Sequence, residues 1–414
     1  MEQSDQRRGM LPPEEQLREI QRGTEEIFPL EELKEKLERS WTEGRPLRVK
    51  LGVDPTASDL HLGHLVPVMK MRQFQDLGHQ AVLIIGDYTA MVGDPTGRNK
   101  TRPQLSHDEV MANAERFTEQ LFMVLDPERT EVVYNGTWFS KLRFTDVIEL
   151  MSHMTVARMI EREDFAQRLK EGLPIGLHEL VYPLMQGYDS VCIRADVELG
   201  GIDQKFNILV GRDLQRAKGM EAQVGVCSPI LIGTDGKEKM SKSLGNTIDL
   251  LDSPEDKYGK TMSIPDELIF PYFELLTSVP GDQLAQWRQQ MEAGTLHPMA
   301  LKSRLAYTIT ERFHGPQAAE AAARHFDRVV REKQLPEDIA EVRLAPDQLE
   351  DGRIWIVRLL QVAGLVPSAS EGRRLIRQGA VRIDGDVVSD DNLDWTPVPG
   401  AVIQVGKRRF ARIV

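Results

Sequence analysis

Three apolar, strand-like runs separated by helical stretches occupy the first third of the chain and leave few folds open. Leu47 to Val53 reads as a buried strand and runs into Asp54-Pro55-Thr56, a turn signal. A helical pattern follows, with Leu65, Met69, Phe74 and Leu77 on one side and Gly78 as its stop. Ala81 to Ile85 is a second apolar strand. After a polar helix from about Ser106 to Leu125 comes a third, Glu131 to Tyr134. Strands alternating with helices predict a parallel, doubly wound α/β sheet, because parallel neighbours need a crossover and the crossover helices cover the faces. Such sheets bind ligands beyond the carboxyl ends of their strands.

The rhythm then breaks. Charged, helical sequence from about Trp138 to Leu173 reads as an insertion between two halves of the sheet. Ser190 to Ala195 is expected to resume the strands, Gln204 to Ala217 supplies a helix, and Gly225 to Ile232 ends the sheet. The pattern is helical from Ser253 to about Ala345, where Leu344-Ala345-Pro346 marks a boundary. The expected domains are therefore 1–250, with an insertion at 138–173 and a Gly-rich loop at 233–246, a helical domain 251–345 and a small module 351–414.

At 414 residues the chain can hold several domains and a large core. No apolar run is long enough to cross a bilayer, and the first residues lack an apolar signal core, so no membrane partner is expected. Cys192 and Cys227 supply neither a disulfide framework nor a zinc set, which suits a reducing cytoplasm. The net charge of −12 argues against indiscriminate nucleic-acid binding. It is unevenly spread: residues 351–414 hold ten Lys/Arg and seven Asp/Glu, a net of +3, leaving −15 on the rest. A basic module on an acidic body predicts one localised anionic partner.

Two short runs carry the chemistry, His61-Leu62-Gly63-His64 and Lys239-Met240-Ser241-Lys242-Ser243. Pro67 belongs in a first turn, so a helix begins close to Gly63 with His61 and His64 at its amino end. That end offers free N–H groups and partial positive charge, suited to phosphate. Gly63 removes a side chain where an adenine or ribose can pack, and the imidazoles can donate to phosphate oxygens as charge builds. An isolated pair of this kind would more often simply decorate a helix; the strand and Asp54-Pro55-Thr56 turn before it favour nucleotide. The second run lies between Gly233 and Gly245, directly after an apolar strand. A solvated basic loop is the plain alternative. On that edge, however, Lys239 and Lys242 can neutralise a leaving pyrophosphate, and the glycines let the loop move.

The ordered pair HLGH and KMSKS resembles the signatures of class I aminoacyl-tRNA synthetases, the second at all five positions. The resemblance implies a Rossmann-like catalytic domain. It also implies that ATP contacts Asp54, Thr56, His61, Gly63, His64, Asp203, Lys239, Ser241 and Lys242. Tyr182, Gln186 and Asp189 share one helix face in a largely apolar run. Such triples are commonly a polar exterior, yet these surroundings suggest burial and a need for partners. The run resembles the YxxxQxxD helix of tyrosyl-tRNA synthetases. That implies Asp189 accepts from the substrate phenol while Tyr182, Gln186 and Asp94 hold its ammonium, with Asn135 and Gln204 beside them. One position departs from the family: Lys50 stands where many members have a tyrosine contacting the substrate hydroxyl.

The tail reads as two short helices followed by strands, with Arg373, Arg374 and Arg377 on one helix and Lys407-Arg408-Arg409 in a basic turn. A stabilising domain with a solvated face is the plain reading. The pattern also resembles the S4 RNA-binding module, which approaches structured RNA through phosphates. Together the resemblances imply a tyrosine–tRNA ligase with tRNA(Tyr), L-tyrosine and ATP as partners. Mg2+ enters with ATP, there is no permanently bound cofactor or protein metal site, and the insertion forms a homodimer. A tryptophanyl enzyme, an RNA-binding protein on a retired scaffold and a small-molecule nucleotidyltransferase are the rival readings.

Overall fold

Six strands form the larger sheet, and the apolar runs mark where most of them lie. The computed structural model describes residues 10–55, 59–95, 107–331, 339–345, 348–349, 352–406 and 409–414. In chain order, α1 (Pro13–Gln21), β1 (Glu26–Phe28) and α2 (Leu30–Glu43) precede β2 (Arg48–Val53) and α3 (Leu62–Asp76). Next come β3 (Gln80–Ile85), α4 (Thr89–Val92), α5 (His107–Leu121) and β4 (Thr130–Tyr134). The charged segment after β4 is helical: α6 (Gly136–Phe139), α7 (Phe144–Ser152), α8 (Val156–Met159) and α9 (Glu163–Lys170). Then come α10 (Tyr182–Ile193), β5 (Val197–Gly201), α11 (Lys205–Ala217) and β6 (Val224–Ser228).

The strand order is β1-β6-β5-β2-β3-β4, parallel throughout except for β1, which runs antiparallel at the β6 edge. Helices on both faces explain why Ala81 to Ile85 is an unbroken apolar run: all five residues are buried. Each large side chain among them contributes about 1.5–3 kcal/mol by leaving water. The pairings are unequal in length. Strand β2 registers with β3 over six residue pairs but with β5 over only two, Val49↔Val197 and Lys50↔Glu198. Beyond those two pairs the carboxyl halves of β2 and β5 separate.

Two strand expectations are corrected. Ser190 to Ala195 is not a strand; it ends α10 and its cap. Pro183 sits in the first turn, and Gly187 lets α10 lie against α11, where an added Cβ would be 2.9 Å from the Gly211 nitrogen. Close helix contact keeps the run helical until Arg194 adopts a left-handed φ of 53°. The strand comes later, in Val197–Gly201. The last strand of the sheet also stops early, at Ser228 before Pro229, and Ile232 forms only an isolated bridge with Lys239. Edge strand β1 is too short to register as a period.

Contacts divide the chain into two units, Met1–Asp252 with Ser263–Leu305, and Ser253–Met262 with Ala306–Val414. Helices α12 (Pro254–Met262), α13 (Ile269–Leu276), α14 (Gly281–Glu292), α15 (Pro298–His314) and α16 (Pro316–Phe326) agree with the helical pattern. Helix does not persist to Ala345, because Ala340–Val342 forms β7. The tail continues with β8 (Ile354–Trp355), α17 (Ile356–Val362), α18 (Ala369–Arg377), β9 (Val381–Ile383), β10 (Asp386–Val387), β11 (Asp394–Trp395), β12 (Val402–Val405) and β13 (Arg409–Ile413). Its sheet runs β10-β9-β12-β13-β7, over a core that includes Ile356, Leu360, Ile376, Ile403 and Val405. Among the described residues no helix is long and apolar enough to cross a membrane.

Candidate active site

Where β2 and β5 part, a cleft of about 490 Å³ opens at the carboxyl edge of the sheet. It is lined by Asp54, His61, Gly63, His64, Asp94, Asn135, Tyr182, Gln186, Asp189, Asp203, Gln204, Lys239 and Ser241. Of the expected nucleotide and amino-acid residues, Lys242 stands outside this lining and Thr56 lies outside the described residues.

The HLGH run places two imidazoles at the amino end of α3, which starts at Leu62; Pro67 is its sixth residue and so falls in the second turn rather than the first. His61 occupies the N-cap position, and its ring stacks on that of His64 at 3.8 Å. The His61 backbone N–H donates to His64 Nδ1 at 3.3 Å, which leaves His64 Nε2 as the protonated, outward donor of a neutral ring. His61 Nδ1 is buried without a hydrogen-bond partner. Burial and the nearby Lys242 charge push His61 down to about 4. His64 lies at the cleft mouth with an exposed edge; the protein packed around it, His61 and Lys242 push it down to about 3. Both rings are therefore neutral at physiological pH and act through N–H donation. A Cβ on Gly63 would lie 3.0 Å from the His61 ring and 3.3 Å from Met240, so glycine here lets the two signatures touch.

The second signature is tied to the first by backbone. Leu62 N–H donates to Ile248 O and Leu250 N–H to Leu60 O, both at 2.9 Å, flanking a His61↔Asp249 bridge. The loop itself is gathered around Asn246. The Asn246 amide donates to Asp235 at 2.8 Å and to Lys239 O at 3.2 Å, while its Oδ1 accepts from Ser241 N–H at 2.8 Å. Lys239 lines the cleft, and exposed Lys242 pairs with Asp59 at 3.7 Å.

Acceptors gather at the other end. Asp189 is buried; its oxygens accept from Trp138 Nε1 at 2.9 Å and Asn135 Nδ2 at 3.3 Å. Burial pushes its carboxyl up to about 7, against the pull of Lys50 and of those two donors. Tyr182 donates to Asp54 Oδ2 at 2.8 Å and Thr89 to Asp54 Oδ1 at 2.7 Å, so Asp54, expected beside ATP, is engaged toward the Tyr182 side. Burial and the Asp54 charge hold Tyr182 well above the ordinary phenol range, as a neutral donor. Asp94 accepts from Gln204 Nε2 at 2.8 Å and from Arg162 at 3.3 Å. Burial and the Asp94 charge push Asp203 upward.

Lys50 resolves differently from a substrate contact. It is fully buried and does not line the cleft; Nζ donates to Gln186 O and Ser190 Oγ at 2.7 Å and to Glu198 Oε1 at 2.8 Å. Sequence reasoning also missed Trp138, Thr89, Arg162, Asn207 and Glu198, none of which belongs to a spaced motif. The alternation of Glu198 with apolar neighbours inside a strand was the one available signal.

In the other unit, α18 exposes Arg373, Arg374 and Arg377 together. Arg373 lies over the Trp355 ring at 5.1 Å, Arg374 is 3.7 Å from Glu371, and Arg377 pairs with Asp391 at 2.8 Å. Arg409 donates to Leu365 O at 2.6 Å. Lys407 and Arg408 lie outside the described residues.

A doubly wound sheet that brings HLGH and KMSKS to one cleft defines the catalytic core of a class I tRNA synthetase. The family model for tRNA synthetases class I (W and Y) matches residues 42–331, and that for the S4 domain matches 354–393. The chain belongs to the class I tRNA synthetases of the W and Y family. It is 55% identical to the tyrosine–tRNA ligase of Moorella thermoacetica, covering 96% of this chain and 95% of that one. It is 52% identical to that of Carboxydothermus hydrogenoformans, covering 96% and 97%. Its fold resembles the crystal structure of tyrosyl-tRNA synthetase complexed with L-tyrosine from Archaeoglobus fulgidus. There the TM-score is 0.62 at 24% identity, covering 75% of this chain and 99% of that one.

The Asp189 environment yields a stability prediction. Its carboxyl is raised from 3.8 to about 7 in the folded chain. The folded state therefore keeps a proton that the unfolded state has lost, and Asp189 costs stability increasingly as pH rises through that window. Thermal midpoints of the native chain and Asp189→Asn should diverge between pH 4 and about 7, the variant being the more stable, and then run parallel. Midpoints that stay parallel across the window would contradict a raised Asp189 carboxyl.

Proposed function

We infer that the chain is a tyrosine–tRNA ligase. It activates L-tyrosine with ATP to tyrosyl-adenylate and passes the tyrosyl group to the 3′ end of tRNA(Tyr). The observation that carries the choice of amino acid is Asp189, a buried carboxylate held by Asn135 and Trp138 at the acceptor-lined end of the cleft. A phenol adds a donor to those of Asn135 and Trp138; a phenylalanine ring supplies none while shutting water away from Asp189, at a cost of about 1–3 kcal/mol. At the same end Tyr182, Gln186, Asp94 and Gln204 receive the ammonium.

In the first step a tyrosine carboxylate oxygen attacks the α-phosphorus of ATP. The new O–P bond forms as the bond to the α,β-bridging oxygen breaks, and pyrophosphate leaves with that electron pair. His61 and His64 donate N–H groups to the phosphoryl oxygens, Lys239 and Lys242 neutralise pyrophosphate, and Asp203 accepts from the ribose. Gly63 and Ser241 border the nucleotide. Mg2+ arrives on the ATP phosphates, as hard phosphate oxygens favour. In the second step a terminal ribose hydroxyl of tRNA attacks the tyrosyl carbonyl and AMP leaves. No covalent enzyme intermediate is required.

ATP–pyrophosphate exchange over a panel of amino acids tests this reading, and tyrosine alone should support it. Lys242→Ala should slow exchange about 100-fold while tyrosine binding changes little, as for other transition-state donors. Exchange with tryptophan but not tyrosine would transfer the chain to the tryptophanyl branch, and no exchange at all would favour a retired scaffold.

The arginine-bearing tail is assigned to tRNA through Arg373, Arg374, Arg377, Arg409 and the Lys407-Arg408 pair. Arg373→Glu/Arg374→Glu should leave exchange intact and cut tRNA charging at least tenfold, by loss of phosphate contacts. Full charging by that variant would remove RNA binding from the tail. We assign the reaction to the cytoplasm, where ATP and tRNA are held and Cys192 and Cys227 stay reduced.

A homodimer through the insertion is supported by apolar exposure. Phe144, Ile148 and Met151 are 78%, 52% and 46% exposed and share one face of α7. Light scattering should find a dimer that Phe144→Asp/Ile148→Asp converts to monomer. A native mass of one chain would refute this assembly.

A further inference from the structure

Beneath the cleft, and not facing it, lies a buried polar network centred on Glu198 of β5. Glu198 is 1% exposed and Lys50, directly across the β2–β5 pairing, is 0% exposed. Four donors meet the carboxylate. Oε1 accepts from Lys50 Nζ at 2.8 Å and Gln186 Nε2 at 3.0 Å. Oε2 accepts from Ser190 Oγ at 3.0 Å and from Gln223 Nε2. An ionised carboxylate can only accept, so each of these groups must turn a hydrogen toward it. Gln223 shows the force of that demand, for its own Oε1 is left buried without a partner.

Gln186 is the member that also lines the cleft. With Nε2 committed to Glu198, its Oε1 is the end left to accept, and Asn207 Nδ2 reinforces this orientation by donating to it at 2.9 Å. Asn207 Nδ2 also donates to Gln204 Oε1 at 3.0 Å, and Gln204 Nε2 in turn donates to Asp94. Arg162 closes the circuit, reaching Asn207 Oδ1 at 3.2 Å and Asp94 at 3.3 Å. The outcome is a cleft wall that presents oxygen atoms at Gln186 and Asp94. An ammonium has three donors and no acceptor, so it needs that polarity.

We propose that Glu198, locked by Lys50, is a positioning residue that sets the polarity of the Gln186 amide and so selects ligands bearing an ammonium group. The proposal rests on the tyrosine reading above and extends it to two residues that touch no substrate. Lys50 has a defined part: its three Nζ donors are all used, on Gln186 O, Ser190 Oγ and Glu198, so it joins both the carboxylate and the helix carrying Gln186. A neutral amide at position 198 could receive either end of the Gln186 amide, and the wall would lose its polarity.

The test compares two ligands on the full-length protein. Tyrosine and 3-(4-hydroxyphenyl)propionate share the phenol and the carboxylate; only tyrosine has the ammonium. Lys50→Met/Glu198→Gln removes both charges at once and leaves no unpaired ion. It should weaken tyrosine about tenfold, the scale of a lost hydrogen bond to a charged group. The propionate, measured as a competitor, should keep its affinity within about twofold, and exchange at saturating tyrosine should keep its rate within about threefold. Glu198→Asp is the second variant. It retains the Lys50 partner but is one methylene too short for Gln186, and the same change in ligand ratio is expected should the double variant not fold. Equal weakening of both ligands, or no change in their ratio, would overturn the proposal while tyrosine activation stood. A native chain that binds neither ligand would overturn both readings.

Discussion

Strands β2 and β5 are paired over just two residues, and the site exists because they then part. Each is held firmly on its far side, β2 to β3 over six pairs and β5 to β6 over five. The crossovers from these strands leave in opposite directions, so no connection covers the gap between them. Leu51, Gly52 and Val53 on one lip and Leu199, Gly200 and Gly201 on the other become the cleft walls. The next residues on each side, Asp54 and the Ile202-Asp203-Gln204 turn, acquire their positions from the same divergence. The segments leaving β3, β4 and β6 reach the same edge, bringing Thr89, Asn135 and Lys239.

The cleft is divided by hydrogen-bond polarity rather than by shape. At one end are acceptors: Asp189, Asp94 and the Gln186 Oε1, with Tyr182 giving its hydrogen to Asp54 and leaving oxygen lone pairs available. At the other end are donors, namely His64 Nε2 and the ammonium of Lys239. A zwitterionic amino acid with a donor tail fits the first end, and polyphosphate fits the second. On the proposed reading the reacting carboxylate and α-phosphorus meet at the border between them. Neutral histidines suit that border: as imidazolium ions they would attract the carboxylate in the ground state, whereas N–H dipoles gain most when charge develops.

Much of this was legible because it is periodic or motif-bound. The parallel core announced itself in Leu47 to Val53 and Ala81 to Ile85, and the helix start in His61 to His64. Tyr182, Gln186 and Asp189 declared a shared face. What could not be read was set by long-range packing. Ser190 to Ala195 has strand composition but is helical because Gly187 meets Gly211, 24 positions away in sequence. Edge strand β1 is three residues long, and β7 pairs with the last strand from more than sixty positions upstream. The supporting shell was invisible for the same reason. Trp138 and Asn207 look like ordinary helix residues until the fold brings them to Asp189 and Gln186. Lys50 stands out in the sequence only as a departure, and its partner Glu198 shows itself only as a charge between Val197 and Leu199.

The Lys50–Glu198 pair makes little sense as a source of stability. Desolvating each ion costs several kcal/mol, and apolar residues of similar volume commonly hold two strands equally well. What an apolar pair cannot do is dictate the direction of a neighbouring amide. Amide ends differ little in shape, so packing alone discriminates poorly between them; a buried carboxylate discriminates strongly, because the wrong end would set two acceptors together without water. The charge therefore costs stability at the seam and fixes which atom of Gln186 faces the ligand. The same logic applies to Asp189, whose burial raises its carboxyl and whose two N–H partners leave it one kind of guest to accept. On the proposed reading, recognition in this cleft depends on two buried carboxylates, Asp189 by leaving a side for the substrate's own donor and Glu198 by orienting Gln186.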